Sequence, residues 1–137
     1  MSDQARIITF AEDINNAEAP SPVPEGTYSA EIREVLQGEG SSGSYANPVF
    51  YISPDQYPPD YMLDGDPDGT NVRGYVSLAD NKKSRYNLKN FCNAIGATVS
   101  NQVDLDDWIG RECQIVIVHK MYEDLPQANV KKVLPAE

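Results

Sequence analysis

The chain has 137 residues, 40% of them hydrophobic and 23% charged, with a formal net charge of −10. This length supports one compact core, which predicts a single domain, and the acidic balance disfavours wrapping of duplex DNA. We find no apolar run long enough to cross a bilayer and no charged-then-apolar leader, so we expect a cytoplasmic protein without a membrane partner.

The charge is unevenly distributed along the chain. Residues 1–80 contain 14 acidic and 3 basic residues, a net charge of −11, whereas residues 81–137 contain 7 and 8, a net charge of +1. A polyanionic partner would therefore contact the second half or a local patch. Single-stranded nucleic acid is compatible with this balance, because stacking on aromatic rings supplies part of its affinity.

Two cysteines and one histidine limit the redox, metal and catalytic chemistry. Cys92 and Cys113 fall at apolar positions of predicted elements, which predicts two buried, reduced thiols rather than a disulfide or a metal site. His119 alone cannot make a zinc site of ordinary composition. No nucleophile–histidine–acid spacing and no glycine-rich strand-to-helix loop occurs. We therefore expect no cofactor and no enzymatic activity.

The N-terminal part divides into an arm and the start of a domain. Residues 1–24 are predicted to form a flexible arm, because three closely spaced prolines remove backbone donors and favour extended geometry. Residues 25–137 are predicted to form the single domain. Within it, polarity alternates with a period of two, and Tyr28, Ala30 and Ile32 share the apolar face, which predicts a first strand.

Two further strands flank an unusually long connection. A glycine- and serine-rich run at 38–44 predicts a flexible loop, followed by a second strand at about 45–53 and a third at 72–79. The insertion between them, about 54–71, is rich in Pro, Asp and Gly and predicts an excursion over the surface. Its DGDPDG run matches the opening of a calcium-binding loop. Tyr75 stands where the twelfth position requires Glu, so an acidic turn is the better interpretation.

The second half predicts a helix and a strand pair. Apolar residues recur at the helical spacing i, i+3, i+4, i+7, namely at Leu88, Phe91, Cys92 and Ile95. Ser84 is the predicted N-cap and Gly96 the predicted stop. Residues 111–122 predict a strand that is apolar on both faces and therefore covered on both sides, and residues 127–135 predict the last strand. Trp108 is expected in the core, closing one end.

Three strands, a helix and two strands form the order of the five-stranded OB barrel, in which the helix between strands three and four plugs one end. We therefore predict a mostly β, OB-fold domain with a long insertion between strands two and three. An SH3-like barrel or a small α+β sandwich would give a similar order of elements. The position of the helix favours the OB fold.

The outer face of strands two and three is the first candidate site. If Phe50 points inward, alternation turns Tyr45 and Tyr51 outward, and the same rule exposes Arg73 and Tyr75 on the neighbouring strand. In OB folds this face binds oligonucleotides, with tyrosines stacking on bases and arginine holding a phosphate. The alternative is that tyrosine simply favours strands and that the arm or the insertion covers this face.

A basic run at the start of the helix is the second candidate. Lys82, Lys83 and Arg85 crowd an end where the helix dipole disfavours cations, and with the free helix amides they would suit a phosphate. The alternative is a solvated charged turn balanced by nearby acids. Other basic residues, including Lys132, could extend these cations into a stripe. The complete predicted nucleic-acid-binding set is Tyr45, Tyr51, Arg73, Tyr75, Lys82, Lys83, Arg85, Lys120, Tyr122 and Lys131.

Several segments together resemble a known family. PEGTYSAEIREV, an apolar helix ending in AIGA, DLDDWIGRECQIVIVHKMY and the closing NVKKVLP follow the order found in small phage-encoded OB-fold proteins, known as a domain of unknown function or as phage single-stranded DNA-binding proteins. The resemblance covers roughly residues 24–135. It implies binding of single-stranded DNA in the host bacterial cytoplasm, beside phage replication or recombination proteins. Family members usually join strands two and three by a short basic turn, whereas this chain has the acidic insertion.

We therefore predict a non-enzymatic protein that binds single-stranded DNA with little sequence preference, either alone or as a homo-oligomer. The main rival hypothesis is an acidic phage protein–protein interaction module, or an inhibitor of a host factor that mimics nucleic acid. A minor structural or chaperone-like component is the third. The acidic surface of the first half is the feature that separates these hypotheses.

Overall fold

The computed structural model describes residues 6–17 and 21–136. Within these ranges the chain forms six strands and one α-helix, and the mostly β architecture predicted from the sequence is confirmed. No helix in these ranges has both the length and the apolar character needed to cross a membrane. The elements are β1 (Gly26–Gly40), β2 (Gly43–Ile52), β3 (Thr70–Arg73), β4 (Val76–Ser77), α1 (Lys82–Ile95), β5 (Glu112–Tyr122) and β6 (Leu125–Pro135).

All strands belong to one antiparallel sheet in the order β3–β2–β1–β5–β6, and β4 also pairs with β2. The helix α1 lies between β4 and β5 in the chain and packs against β4, β5 and β6. The edge strands β3 and β6 approach within 8 Å between Cα atoms, but no ladder joins them in the described part of the chain. The sheet is therefore not closed, and the prediction of a closed five-stranded barrel is wrong in this respect.

The sixth strand arises because the predicted third strand is interrupted at Gly74 and Tyr75. Pro48 of β2 lies at this break and has no backbone N–H to offer to a ladder. The Gly74 N–H donates to the Pro48 carbonyl at 2.8 Å, so the chain stays close to β2 while regular pairing stops. A Cβ at position 74 would lie 2.7 Å from the Phe50 ring, so glycine permits this close approach.

The connection between β1 and β2 is a tight hairpin. Pairing continues to Gly40 and Gly43, and only two serines form the turn. The flexible loop predicted at 38–44 is therefore wrong. The Tyr45 ring explains the difference, because it covers its cross-strand partner Gly38 so closely that a Cβ there would lie 2.6 Å from the tyrosine hydroxyl. Packing of the Tyr45 ring over Gly38 supplies the contacts that a side chain at this glycine would otherwise make.

The core contains the inward residues of the sheet and the apolar face of α1. Phe50 is fully buried, as the predicted alternation requires. Trp108 is 1% exposed and its ring lies 4.8 Å from that of Phe91, between centroids, which confirms the prediction that it belongs to the core. The Gly110 N–H donates to the Ile32 carbonyl at 2.7 Å, which attaches the turn that carries Trp108 to β1.

The predicted end of α1 is confirmed, whereas its predicted N-cap is wrong. Gly96 has φ 73°, a left-handed conformation that suits glycine and ends the helix. At the other end, Asn81 is the N-cap, because its side-chain oxygen accepts from the Ser84 N–H at 2.8 Å. Ser84 lies one turn further along and is buried, with its hydroxyl 2.9 Å from that of Ser77.

The insertion is packed rather than a simple excursion over the surface. Tyr57 and Tyr61 are both buried, with ring centroids 5.1 Å apart and planes nearly perpendicular. The Tyr57 hydroxyl donates to the Asp66 carbonyl at 2.9 Å, which holds the acidic turn against the domain. The surface prediction is therefore wrong for these tyrosines, because two large rings bury apolar area that a solvated loop would expose.

The segment just before the predicted domain start also packs. Val23 is 1% exposed, and its carbonyl hydrogen bonds to His119 Nε2 at 2.7 Å. The Tyr61 hydroxyl donates to the Ser21 carbonyl at 2.7 Å. Ser21 and Val23 therefore contact the domain, while the division into an arm and a domain stays a prediction.

Both cysteines are free and buried, as the sequence predicts. Burial raises the pKa of the Cys113 thiol from 9.0 to about 11. We expect neither thiol to react with an aromatic disulfide reagent in the folded protein near neutral pH, and both to react in urea. Stoichiometric labelling of the folded protein would contradict the buried placement of the two thiols.

Burial of Cys113 also predicts a pH dependence of stability. Because the folded state favours the neutral Cys113 thiol, its stabilising contribution is present below pH 9 and is lost as pH rises toward about 11.

Candidate nucleic-acid interface

A β-bulge in β1 places a guanidinium group on the outer face of the sheet. The register with β2 shifts between Ile32 and Glu34, so Arg33 is the extra residue. Its guanidinium lies over the Tyr51 ring, 4.1 Å from the centroid, and pairs with the Glu31 carboxylate. Sequence reasoning did not select Arg33 for the site. The signal was present in its position on the outward face of the predicted first strand.

Tyr45 and Tyr75 form an aromatic pair at the other end of this face. Their ring centroids are 5.4 Å apart and the planes are tilted by 31°. Tyr75 is 64% exposed, whereas Tyr45 is half-buried over Gly38. The Asn47 side-chain amide donates to the Gly74 carbonyl at 2.8 Å and holds the strand break that carries Tyr75. The predicted outward orientation of both rings is therefore confirmed, and Tyr75 has the more accessible ring.

Tyr51 is a packed part of the face rather than a free stacking surface. Arg33 covers its ring, and its hydroxyl donates to the Asp68 carbonyl at 2.8 Å. A Cβ at Gly69 would lie 2.4 Å from the ring, and Gly69 has φ +98°, which favours glycine. The insertion therefore touches the edge of the face at Tyr51, as the alternative interpretation expected, while Tyr75 stays exposed.

A groove of about 550 Å³ runs across the face between β1 and β3. Arg73 lies opposite Val49 in the β2–β3 ladder and brings a second guanidinium to this groove. Glu34 contributes a carboxylate, so the groove is polar and only weakly basic. The residues that line it are Arg33, Glu34, Leu36, Val49, Tyr51, Asn71 and Arg73.

Within the described residues, Lys82, Lys83 and Arg85 make no side-chain hydrogen bond or ion pair with the residues of this face. Lys82 and Lys83 are exposed. Arg85 pairs with the Asp80 carboxylate at 2.5 Å, as the alternative of a balanced charged turn expected. Their role in binding stays a prediction.

The remaining predicted residues lie on the β5–β6 hairpin. Lys120 and Tyr122 are exposed near its tip. Lys131 is the unpaired residue at the register shift in β6, between the pairs formed by Lys132 and Val130. Lys131 and Tyr75 both line a cleft of about 410 Å³ beside α1. The structure therefore brings Lys131 close to the exposed aromatic pair, whereas Lys120 and Tyr122 lie at the far end of the hairpin.

The acidic run at 64–69 is folded as a turn. The Asp66 carboxylate accepts a hydrogen bond from the Asp68 N–H at 2.8 Å. The Asp66 backbone carbonyl accepts a second one from the Tyr57 hydroxyl. In the ranges that the structure describes, no group of three histidine, cysteine, aspartate or glutamate side chains is arranged to hold a metal ion.

The sequence matches no protein-family model, and no curated protein matches it. Among solved structures, the chain is similar to the second OB-fold domain of replication protein A from Methanococcus maripaludis. The identity is 12% and the TM-score 0.35, over 85% of this chain and 88% of that domain. Values this low say nothing about what the chain binds, so the assignment of a ligand depends on the site itself.

Proposed function

We propose that this chain is an OB-fold protein that binds single-stranded DNA with little sequence preference and without catalytic activity. It would support phage DNA replication or recombination in the host bacterial cytoplasm, in line with the resemblance of its sequence segments. The observation that carries the proposal is the Tyr45–Tyr75 pair, with its exposed Tyr75 ring, on the same sheet face as Arg33 and Arg73.

Each part of this face has a role in the proposed complex. The Tyr75 ring would stack on a base, since any base has a π-face. The guanidinium of Arg33 lies over the Tyr51 ring, so its outward side would stack on or hydrogen bond to the strand. Arg73 would neutralise a phosphate, and Lys131 would do the same beside Tyr75.

Salt dependence tests the proposal. We expect the protein to bind a fluorescent oligo-dT, and a duplex of the same length more weakly. With about three to four phosphates neutralised, log K should fall with log salt with a slope of about −2 to −3. The measurement is fluorescence anisotropy at two salt concentrations. Failure to bind oligo-dT at low salt would refute the proposal.

A matched pair of charge variants separates the face from general electrostatics. Arg73→Gln should reduce the salt slope by about 0.7, the value for one lost phosphate contact on a single strand. Lys89→Gln removes an exposed charge from α1, away from the face, and should leave the slope unchanged. Equal effects of both variants would show that only net charge matters.

The insertion favours a second candidate function. Five exposed aspartates, Asp55, Asp60, Asp64, Asp66 and Asp68, give it a concentrated negative charge. Such a surface suits an interaction module or an inhibitor that mimics nucleic acid, since it would attract a basic protein partner. Absence of oligonucleotide binding in the titration above would favour this candidate.

A further inference from the structure

An apolar groove lies between β3 and the β5–β6 hairpin. It measures about 800 Å³, and it shares Asn71 and Arg73 with the groove on the outer face of the sheet. The nearly buried side chains of Val23, Tyr61 and Val72 line one side, and the more accessible Leu125 and Ala128 line the other. The groove lies where β3 and β6 approach each other without pairing, so no ladder covers it within the described residues.

The apolar surface continues from this groove to the tip of the hairpin. Met121 and Tyr122 precede the turn and Leu125 follows it, and all three are at least half exposed. Exposed large apolar side chains that cluster in this way mark an interaction surface more often than isolated ones do.

The arm of the same chain carries a second unpartnered apolar set. Ile7, Ile8, Phe10 and Ile14 are between 61% and 79% exposed. The first three belong to an Ile-Ile-Thr-Phe run, whose β-branched and aromatic residues suit an extended segment lying in a groove. Burial of these side chains would remove substantial apolar area from water.

The arm and the groove are adjacent in the chain. Ser21 and Val23 line the groove, and their carbonyls are held there by Tyr61 and His119. The C-terminal end of the arm therefore forms part of the wall of the groove. Two copies that face each other at this groove around a twofold axis would each place an arm beside the other's groove. The 12 residues 6–17 of the arm span up to about 40 Å when extended, enough to cross such an interface.

Charge supports the same pairing. Glu12 and Asp13 directly follow the apolar run of the arm. Arg73 lines the groove and makes no ion pair within the part of the chain that the structure describes. An arm seated with its apolar run in the groove brings these acids to the neighbourhood of Arg73.

We propose that the protein forms a dimer by reciprocal arm exchange, in which the Ile7–Phe10 run of each copy occupies the groove between β3 and the β5–β6 hairpin of the other. Within one copy, both surfaces remain exposed. In the dimer each covers the other.

Light scattering with size-exclusion chromatography tests the proposal on the full chain. We expect a dimer, and Ile8→Asp in the arm and Leu125→Asp at the groove should each weaken dimerisation at least about tenfold, since each puts a charge into an apolar contact. Val99→Asp, at an exposed loop position outside both surfaces, is the matched control and should remain dimeric. Unfolding curves of the variants establish that the fold is retained.

A mixing experiment identifies the contact. The Ile8→Asp chain keeps a normal groove and the Leu125→Asp chain keeps a normal arm, so the two monomeric variants should combine into a heterodimer through one intact contact. A monomeric wild-type chain, a dimer that survives Ile8→Asp, an equal loss with Val99→Asp, or no heterodimer on mixing would each overturn the proposal. A monomer would also result if each arm occupied its own groove.

Discussion

Replacing Tyr75 with alanine is expected to weaken oligo-dT binding by about 1–3 kcal/mol, the contribution of one base–aromatic stack. This corresponds to roughly a five- to 150-fold increase in Kd. The reason is geometric, because Tyr75 offers the most accessible ring of the Tyr45–Tyr75 pair and lies beside Lys131. Anisotropy titrations at one fixed salt concentration provide the measurement. The unfolding free energy should change little, since the side chain is exposed.

Tyr86→Ala is the matched control for this prediction. Tyr86 is 63% exposed, almost the same as Tyr75 at 64%, but it lies on α1 and lines none of the grooves described above. Its removal should leave oligo-dT binding unchanged. Tyr45→Ala should also weaken binding, but it uncovers Gly38 and so lowers stability as well. If Tyr75→Ala binds as tightly as the wild type, the aromatic pair is not the binding surface.

Replacing Trp108 with alanine is expected to lower the free energy of unfolding by about 3–5 kcal/mol, the range for removing a large aromatic side chain from a core. Trp108 is 1% exposed and packs on Phe91. The short turn that holds it is attached to β1 at Ile32, so the structure can collapse only partly into the cavity. Urea unfolding followed by circular dichroism measures the loss.

Two further variants control the Trp108 prediction. Trp108→Phe keeps an aromatic ring beside Phe91 and should lose clearly less stability. Val103→Ala, on an exposed loop residue before the same turn, should change stability by less than about 0.5 kcal/mol. A loss below about 1 kcal/mol in Trp108→Ala would place the indole outside the core.

The regular elements could be predicted because their signals are local. Alternation around Tyr28 and Phe50 identified two strands, and the spacing of Leu88, Phe91 and Ile95 identified the only α-helix of the described residues. Gly96 marked its end, since the left-handed conformation there favours glycine. A strand or a helix buries one face against the core. The apolar residues of that face therefore recur along the sequence with the period of the element.

The errors occurred where side-chain packing or strand pairing overrides the preference that local composition suggests. The run at 38–44 has the composition of a loop, yet the Tyr45 ring covers Gly38 and extends the hairpin. The insertion has the composition of a surface excursion, yet its Tyr57 and Tyr61 rings are buried. The closure of the sheet was also mispredicted, because pairing between β3 and β6 depends on the whole three-dimensional path of the chain.

The candidate site shows the same division. The alternation of polar and apolar residues predicted that the side chains of Tyr45, Tyr75 and Arg73 point to the outer face of the sheet, and the structure agrees. It could not reveal that Arg33 covers Tyr51, because a bulge shifts the register by one residue and its position depends on the partner strand. The alternation also could not show which cations are available to a ligand. Arg85 pairs with Asp80, whereas Lys131 lies near Tyr75.

The sequence by itself determined the mostly β architecture, the position of the helix, the two reduced thiols, and the aromatic and basic composition of one strand face. These follow from periodicity and residue type, which act over a few neighbouring positions. Only the tertiary structure decided that the sheet stays open, that Tyr75 rather than Tyr51 has the accessible ring, and that Ser21 and Val23 line a groove. Each of these depends on contacts between residues far apart in the chain, where packing outweighs local preference.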